Sequence, residues 1–213
     1  MRVKVCGMTE ISQLRELEEM KVEFAGFIFY PKSPRYLLRW LDPEQLKREK
    51  FQINKVGVFV NATQQEVMKM VDACGLYIVQ LHGDETPKLC ESISNYVTVV
   101  KVIRVGDGTD IEWKIHPYMD SCDMFLFDTE GSNFGGTGKK FDWEKLKGLN
   151  IGKPFFLSGG IGPDDVSSLQ GFASSPVAKD LFSIDINSRF EMSPGVKDMK
   201  KVKKFLSELN PGS

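Results

Sequence analysis

Histidine and cysteine are scarce in this chain of 213 residues. There are two histidines, His82 and His116, and four cysteines, Cys6, Cys74, Cys90 and Cys122. No two cysteines form a C-x-x-C pair, so the clustered Cys and His of a common zinc site are missing. With no export signal in view, Cys74, Cys90 and Cys122 read as small core hydrophobes rather than disulfide partners. Charge of one sign is lacking too. Lys and Arg number 28 against 29 Asp and Glu, for a net charge of -1, which removes the electrostatic argument for nucleic acid or an anionic membrane surface. No apolar run approaches the roughly 18 residues that cross a bilayer. The opening MRVKVCGMTE has no apolar signal region, so a cytoplasmic location is expected. Neither G-x-G-x-x-G nor G-x-x-x-x-G-K-[ST] occurs, which weakens the reading of a doubly wound nucleotide fold.

What is present is a rhythm. Short apolar runs, mostly β-branched or aromatic, recur at residues 2–6, 24–29, 55–60, 77–81, 98–102, 124–128, 155–157 and 181–186. Charged segments with helical spacing lie between them. Ile11, Leu14, Leu17 and Met20 form one apolar stripe; Val202, Phe205, Leu206 and Leu209 form another. Helix starts are marked by Asp42-Pro43, by Thr86-Pro87 and by the capping box from Thr63 to Glu66. The box makes Asn61-Ala62-Thr63 a helix entry rather than a glycosylation site. Gly75 reads as a helix C-cap. The segment 110–119, with Trp113, His116 and Pro117, predicts a short or irregular fifth helix. Strand then helix, eight times, is the pattern of a compact (β/α)8 TIM barrel, one domain over residues 1–213.

In such barrels the reacting groups sit at the carboxyl ends of the strands. Here those ends carry Cys6, Arg35 just beyond the second, Asn61, Gln80 with His82, Arg104, Asp128, Ser158-Gly159-Gly160 and Asp185. A thiol, two carboxylates, an imidazole and a guanidinium on one rim indicate a reaction site. Ser158, Gly159 and Gly160, with Asn187 and Ser188, occupy the loops after strands seven and eight, where barrels often cradle phosphate on backbone N–H groups. Gly136 and Gly138, in the segment Gly135-Gly136-Thr137-Gly138-Lys139, extend the candidate phosphate set and supply a possible lid. Strand alternation puts Lys4 on the face of Cys6. If that face is the barrel interior, Lys4 requires a buried partner, and its charge would favour the Cys6 thiolate.

These segments carry a resemblance across essentially the whole chain. Lys4-Val5-Cys6-Gly7-Met8-Thr9, the 26–36 segment through Arg35, Val56-Gly57-Val58-Phe59-Val60-Asn61, Gln80-Leu81-His82-Gly83, Phe127-Asp128-Thr129, the 135–143 segment, the 157–160 segment, and Asp185 with Ser188 and Pro194-Gly195 are similar, in that order, to the phosphoribosylanthranilate isomerase family of tryptophan biosynthesis. The resemblance implies an Amadori rearrangement of N-(5-phosphoribosyl)anthranilate, an aminoaldose, to 1-(2-carboxyphenylamino)-1-deoxyribulose 5-phosphate. It implies Cys6 as general base and Asp128 as general acid, Arg35 on the anthranilate carboxylate, and His82 and Asp185 as substrate contacts. It implies no metal or organic cofactor, and a small phosphosugar rather than nucleic acid, membrane or an obligatory protein as partner. The chain departs from the family at Asn187-Ser188-Arg189-Phe190-Glu191, where many members carry a glycine. Two other readings stand beside it: a phosphosugar barrel enzyme of the indole-glycerol-phosphate synthase kind, for which Lys101 is the candidate amine, and a phosphate-binding barrel without chemistry.

Overall fold

The computed structural model describes residues 1–130 and 141–211. Eight parallel strands close into one barrel in sequence order: β1 (Val3–Cys6), β2 (Phe24–Ile28), β3 (Asn54–Phe59), β4 (Ile78–Leu81), β5 (Thr98–Val105), β6 (Met124–Thr129), β7 (Phe155–Leu157) and β8 (Leu181–Ile186). Closure pairs β1 with β8, and Lys4 stands opposite Asp185 in that register. On the other side of β1, Cys6 stands opposite Gly26. A side chain at residue 26 would bring its Cβ to 2.8 Å from Cys6 Sγ, so the absence of one leaves room for the thiol.

Alternation along the strands builds two cores. Val3, Val5, Ala25, Phe27, Val79, Val99, Phe125, Phe127 and Ile184 point outward, where they meet Leu14, Leu17, Val67, Cys90, Val202 and Phe205 of the helices. Burying a leucine such as Leu14 or Leu17 contributes about 2 kcal/mol. Inside, Phe24, Val56, Ile78, Val100, Val102, Leu126 and Phe156 plug the barrel. Above that plug the inward positions turn polar: Lys4, Cys6, Gln80, Asp128 and Asp185. The apolar plug closes the amino end, and the polar layer opens at the carboxyl end.

The helices are α1 (Ile11–Glu19), α2 (Pro43–Arg48), α3 (Gln64–Cys74), α4 (Pro87–Ser94), α5 (Ile111–Ile115), α6 (Val166–Ala173) and α7 (Met199–Leu209). The Asp42 and Thr86 side chains cap α2 and α4, and the Thr63–Glu66 box caps α3, which ends at Gly75 in the left-handed conformation at φ 64°. Such caps are each worth about 1 kcal/mol. The fifth helix is short, as its sequence predicts, and runs into a 3-10 turn at His116–Tyr118.

One expectation is corrected. Strand six is not followed by an α-helix among the described residues; a 3-10 turn over Trp143–Leu146 stands in its place. Gly148 and Gly152 take left-handed φ values of 89° and 69° soon after it, which ends any helical run before Pro154. A second departure lies after β8. There the chain makes a 3-10 turn at Ser188–Phe190 and a small hairpin of β9 (Glu191–Ser193) and β10 (Val196–Lys197). No helix of the described residues is long and apolar enough to cross a membrane.

Candidate active site

A cavity opens at the carboxyl end of the barrel. Cys6, Arg35, His82, Asp128, Ser158, Gly160, Asp185, Asn187 and Ser188 all line it. Gly159 does not. It is buried beneath the rim at φ 91°, where a Cβ would lie 2.6 Å from Thr129 Oγ1. It allows the turn to pack on β6, and Gly160, at φ 69°, continues the bend into the mouth. Gly136 and Gly138 lie outside the described residues, as does Lys139.

Lys4 has the buried partners that its position demands. Its Nζ is 3.0 Å from Asp185 Oδ2 and 2.8 Å from Gln80 Oε1, with all three side chains shielded from solvent. Burial disfavours the ammonium, but the Asp185 carboxylate and the Cys6 thiol together outweigh it and raise the Lys4 pKa. For Asp185, burial pushes the carboxyl pKa up and Lys4 opposes the shift. Asp185 Oδ1 is buried and accepts no hydrogen bond. An acceptor left open at a cavity wall is a place for a ligand N–H or O–H.

The expected effect of Lys4 on Cys6 is present but does not prevail. Burial raises the thiol pKa; Lys4 and, less strongly, Lys197 pull it down, and Asp185 pushes it up. The net shift is upward, so the cation tempers a desolvated thiol without making it acidic. The other three cysteines are free, buried and remote from the mouth, with pKa values raised by burial to about 11 for Cys74, about 11 for Cys90 and about 12 for Cys122.

Asp128, the penultimate residue of β6, lies across the mouth. Its Oδ1 accepts from Thr129 N at 2.8 Å, and its Oδ2 lies 3.3 Å from His82 Nε2. The other ring nitrogen of His82, Nδ1, is 3.0 Å from Gln80 Nε2. Both nitrogens of His82 therefore face protein groups.

Arg35 is not a solvated loop cation. It grips Glu191 with one edge of its guanidinium, Nε at 2.8 Å from Oε1 and Nη2 at 2.6 Å from Oε2. Glu191 Oε1 also receives Lys197 Nζ at 2.6 Å, and the same ammonium donates to Asn187 Oδ1 at 2.7 Å. Burial opposes the Glu191 charge, but Arg35 and Lys197 overcome it and hold the carboxyl below its ordinary range. Lys197 is pulled below its ordinary value by burial, against the pull of Glu191. Gly7, at φ 76°, serves this cluster: a Cβ there would meet Arg35 Cδ at 2.7 Å and Asn187 Oδ1 at 2.9 Å. Glu191 and Lys197 are thus parts of the site that motif reading left out, and Gln80 is one that it left without a role. The available signal for Gln80 was alternation, the same signal that placed Lys4 beside Cys6.

Two rim candidates belong elsewhere. Arg104 pairs with Asp84 at a partly exposed position. Asn61, at φ 52°, accepts from Asp84 N at 2.7 Å and so braces the loop after β4. Lys101 faces the helix layer, where it meets Glu85 Oε2 at 2.8 Å and Gly83 O at 2.8 Å. It does not reach the mouth, so the reading that needs a strand-end lysine loses its amine.

Residues 3–208 match the family model of N-(5'-phosphoribosyl)anthranilate isomerase. The chain belongs to that family. The N-(5'-phosphoribosyl)anthranilate isomerase of Parabacteroides distasonis is 38% identical over 98% of this chain and 93% of its own length. The phosphoribosyl anthranilate isomerase of Thermotoga maritima superposes with a TM-score of 0.83 at 32% identity, with 98% of each chain covered. A phosphoribosyl anthranilate isomerase solved in complex with reduced 1-(o-carboxyphenylamino)-1-deoxyribulose 5-phosphate gives a TM-score of 0.78 at 29% identity, covering 98% of this chain and 97% of that one. The barrel is that of an isomerase of this family, and the expectation of a TIM-barrel isomerase of tryptophan biosynthesis is met.

Proposed function

We propose that the mouth catalyses the Amadori rearrangement of N-(5'-phosphoribosyl)anthranilate with Cys6 as base and Asp128 as acid. The observation that carries this reading is their placement: two proton-transfer groups, on β1 and β6, line one cavity at the carboxyl end of the barrel. Asp128 in its carboxylic form gives a proton to the furanose ring oxygen as the bond from that oxygen to C1 breaks, and the anilinic nitrogen lone pair forms the C1=N bond. The Cys6 thiolate then takes the proton from C2, and the C–H electron pair becomes the double bond of an enolamine. The enol O–H proton returns to the Asp128 carboxylate and the thiol proton goes to C1, which gives the ketone and restores both groups. No net proton is gained or lost.

The other residues bind. Asp185 Oδ1 accepts from the substrate amine or a sugar hydroxyl. Arg35, steadied by Glu191, turns its remaining N–H edge to the anthranilate carboxylate. His82 stands beside the acid. Ser158, Gly160, Asn187 and Ser188 surround the phosphate; Lys197 holds the side-chain oxygen of Asn187, so the Asn187 NH₂ is the part that faces it. The ligand in the related complex is a reduced form of the same aminoketose phosphate, which supports a phosphosugar of this size. The test is optical. The aminoaldose, formed in place from anthranilate and phosphoribosyl pyrophosphate by the transferase, is fluorescent. Adding this protein should abolish that fluorescence with multiple turnovers; a signal that decays no faster than in its absence contradicts the proposal.

A further inference from the structure

We infer that Gln80 is a positioning residue that fixes the tautomer of His82, and through it the acid Asp128, under orders from Lys4 on the opposite side of the barrel. Donors and acceptors fix each contact in turn. Lys4 Nζ carries only donors, and it is anchored by Asp185 Oδ2 at 3.0 Å. The Gln80 atom 2.8 Å from it is therefore the amide oxygen; a flipped amide would set NH₂ against ammonium. With Oε1 committed to Lys4, the amide NH₂ is turned to His82 Nδ1 at 3.0 Å. That nitrogen must then present a lone pair, because an Nδ1–H would face another donor. A neutral ring bare at Nδ1 carries its proton on Nε2, and Nε2 lies 3.3 Å from Asp128 Oδ2.

The chain of contacts thus runs Asp185, Lys4, Gln80, His82, Asp128, and joins a carboxylate on β8 to the acid on β6. Each link sits where alternation places it: Lys4 inward on β1, Gln80 inward on β4, His82 two residues on and on the same face. Gln80 is buried, and its amide is committed on both sides to protein groups. The consequence is directional. His82 turns an N–H, not a lone pair, toward Asp128 Oδ2 at 3.3 Å, so the ring faces the acid as a donor and takes no proton from it.

The kinetic consequence rests on the acid role proposed above for Asp128; the tautomer does not. The measurement is therefore spectroscopic first. With only two histidines in the chain, long-range ¹H–¹⁵N correlation of the whole protein resolves both rings, and His116→Gln assigns His82. We expect His82 to show an unprotonated Nδ1 and a protonated Nε2. Gln80→Glu, whose carboxylate accepts where the amide donated, should move a proton onto Nδ1 and lower kcat by about tenfold to a hundredfold, the loss that accompanies a misplaced catalytic group. A wild-type His82 protonated on Nδ1 overturns the inference, even if the variant cannot be folded. So does a folded Gln80→Glu protein whose Nδ1 stays bare. Failure of the acid assignment shows instead as undiminished turnover in Asp128→Asn, and leaves the His82 spectrum to be judged separately.

Discussion

Lys4 and Asp185 are direct neighbours across the seam that closes the barrel, Nζ 3.0 Å from Oδ2, and neither side chain reaches solvent. The pair joins fold to function. It ties the first strand to the last, and it sets a positive charge under Cys6 and an open acceptor, Asp185 Oδ1, beside it. Removing one partner leaves the other buried and uncompensated. Lys4→Met should therefore cost about 3 kcal/mol or more of unfolding free energy and raise the Cys6 thiol pKa further. Denaturant unfolding and a thiol titration check both. Unchanged stability with an unchanged titration would mean that the pair does neither job.

Arg35 is held before substrate arrives. Because its contact with the anthranilate carboxylate would exist in the ground state and the transition state alike, Arg35→Met should raise KM more than it lowers kcat. A substrate analogue without the carboxylate should be nearly indifferent to the change. Equal losses on both compounds would make Arg35 purely structural.

Glu191 gives that cluster a pH signature. Its folded pKa lies below its ordinary value because Arg35 and Lys197 outweigh burial. A carboxyl depressed by folding stabilises the native state above its unfolded pKa, about 4.3 for glutamate, and that contribution fades as pH falls through the lower folded value. Acid unfolding of the wild type should steepen below about pH 4, and Glu191→Gln should flatten the curve there. Parallel acid-unfolding profiles for the two proteins would contradict the assignment.

Asp128→Asn keeps the shape of the side chain and removes its transferable proton. The Asn oxygen can still accept from Thr129 N or from His82, but not both, since its NH₂ must then face a donor. Turnover should fall by at least about a hundredfold, the lower range for an acid–base group, with the fold retained by circular dichroism. Near-normal kcat in the folded variant would require another acid.

Most of the scaffold was legible because it rests on local physics. All eight strand runs and the caps at Asp42, Thr63 and Thr86 follow from alternation and from backbone N–H groups that need partners. Cys6, Asp128 and Asp185 were legible as strand ends. The missing helix after β6 was not, because a count of repeating units overrode the glycines at 148 and 152. The support of Arg35 was not legible either. Glu191 and Lys197 meet it through a hairpin that no periodicity announces, and Lys197 is fixed further by Gln13, whose side chain bonds its backbone from 184 positions away. Gly7 illustrates the same limit. Nothing near it in the sequence announces that the space beside it is filled by Arg35 and Asn187.

Cys6 is the residue on which the proposed chemistry turns. It alone among the four cysteines lines the mouth, and its pKa is raised by burial against the pull of Lys4. Only the thiolate alkylates, so iodoacetamide modification should be slow near neutral pH and accelerate as pH rises, with a bound product analogue protecting it. The measurement is a timed alkylation in which residual turnover and peptide-mapped modification are followed together. The account predicts that activity falls in step with Cys6 while Cys74, Cys90 and Cys122 remain unmodified. Full activity in protein whose Cys6 is completely alkylated would contradict it.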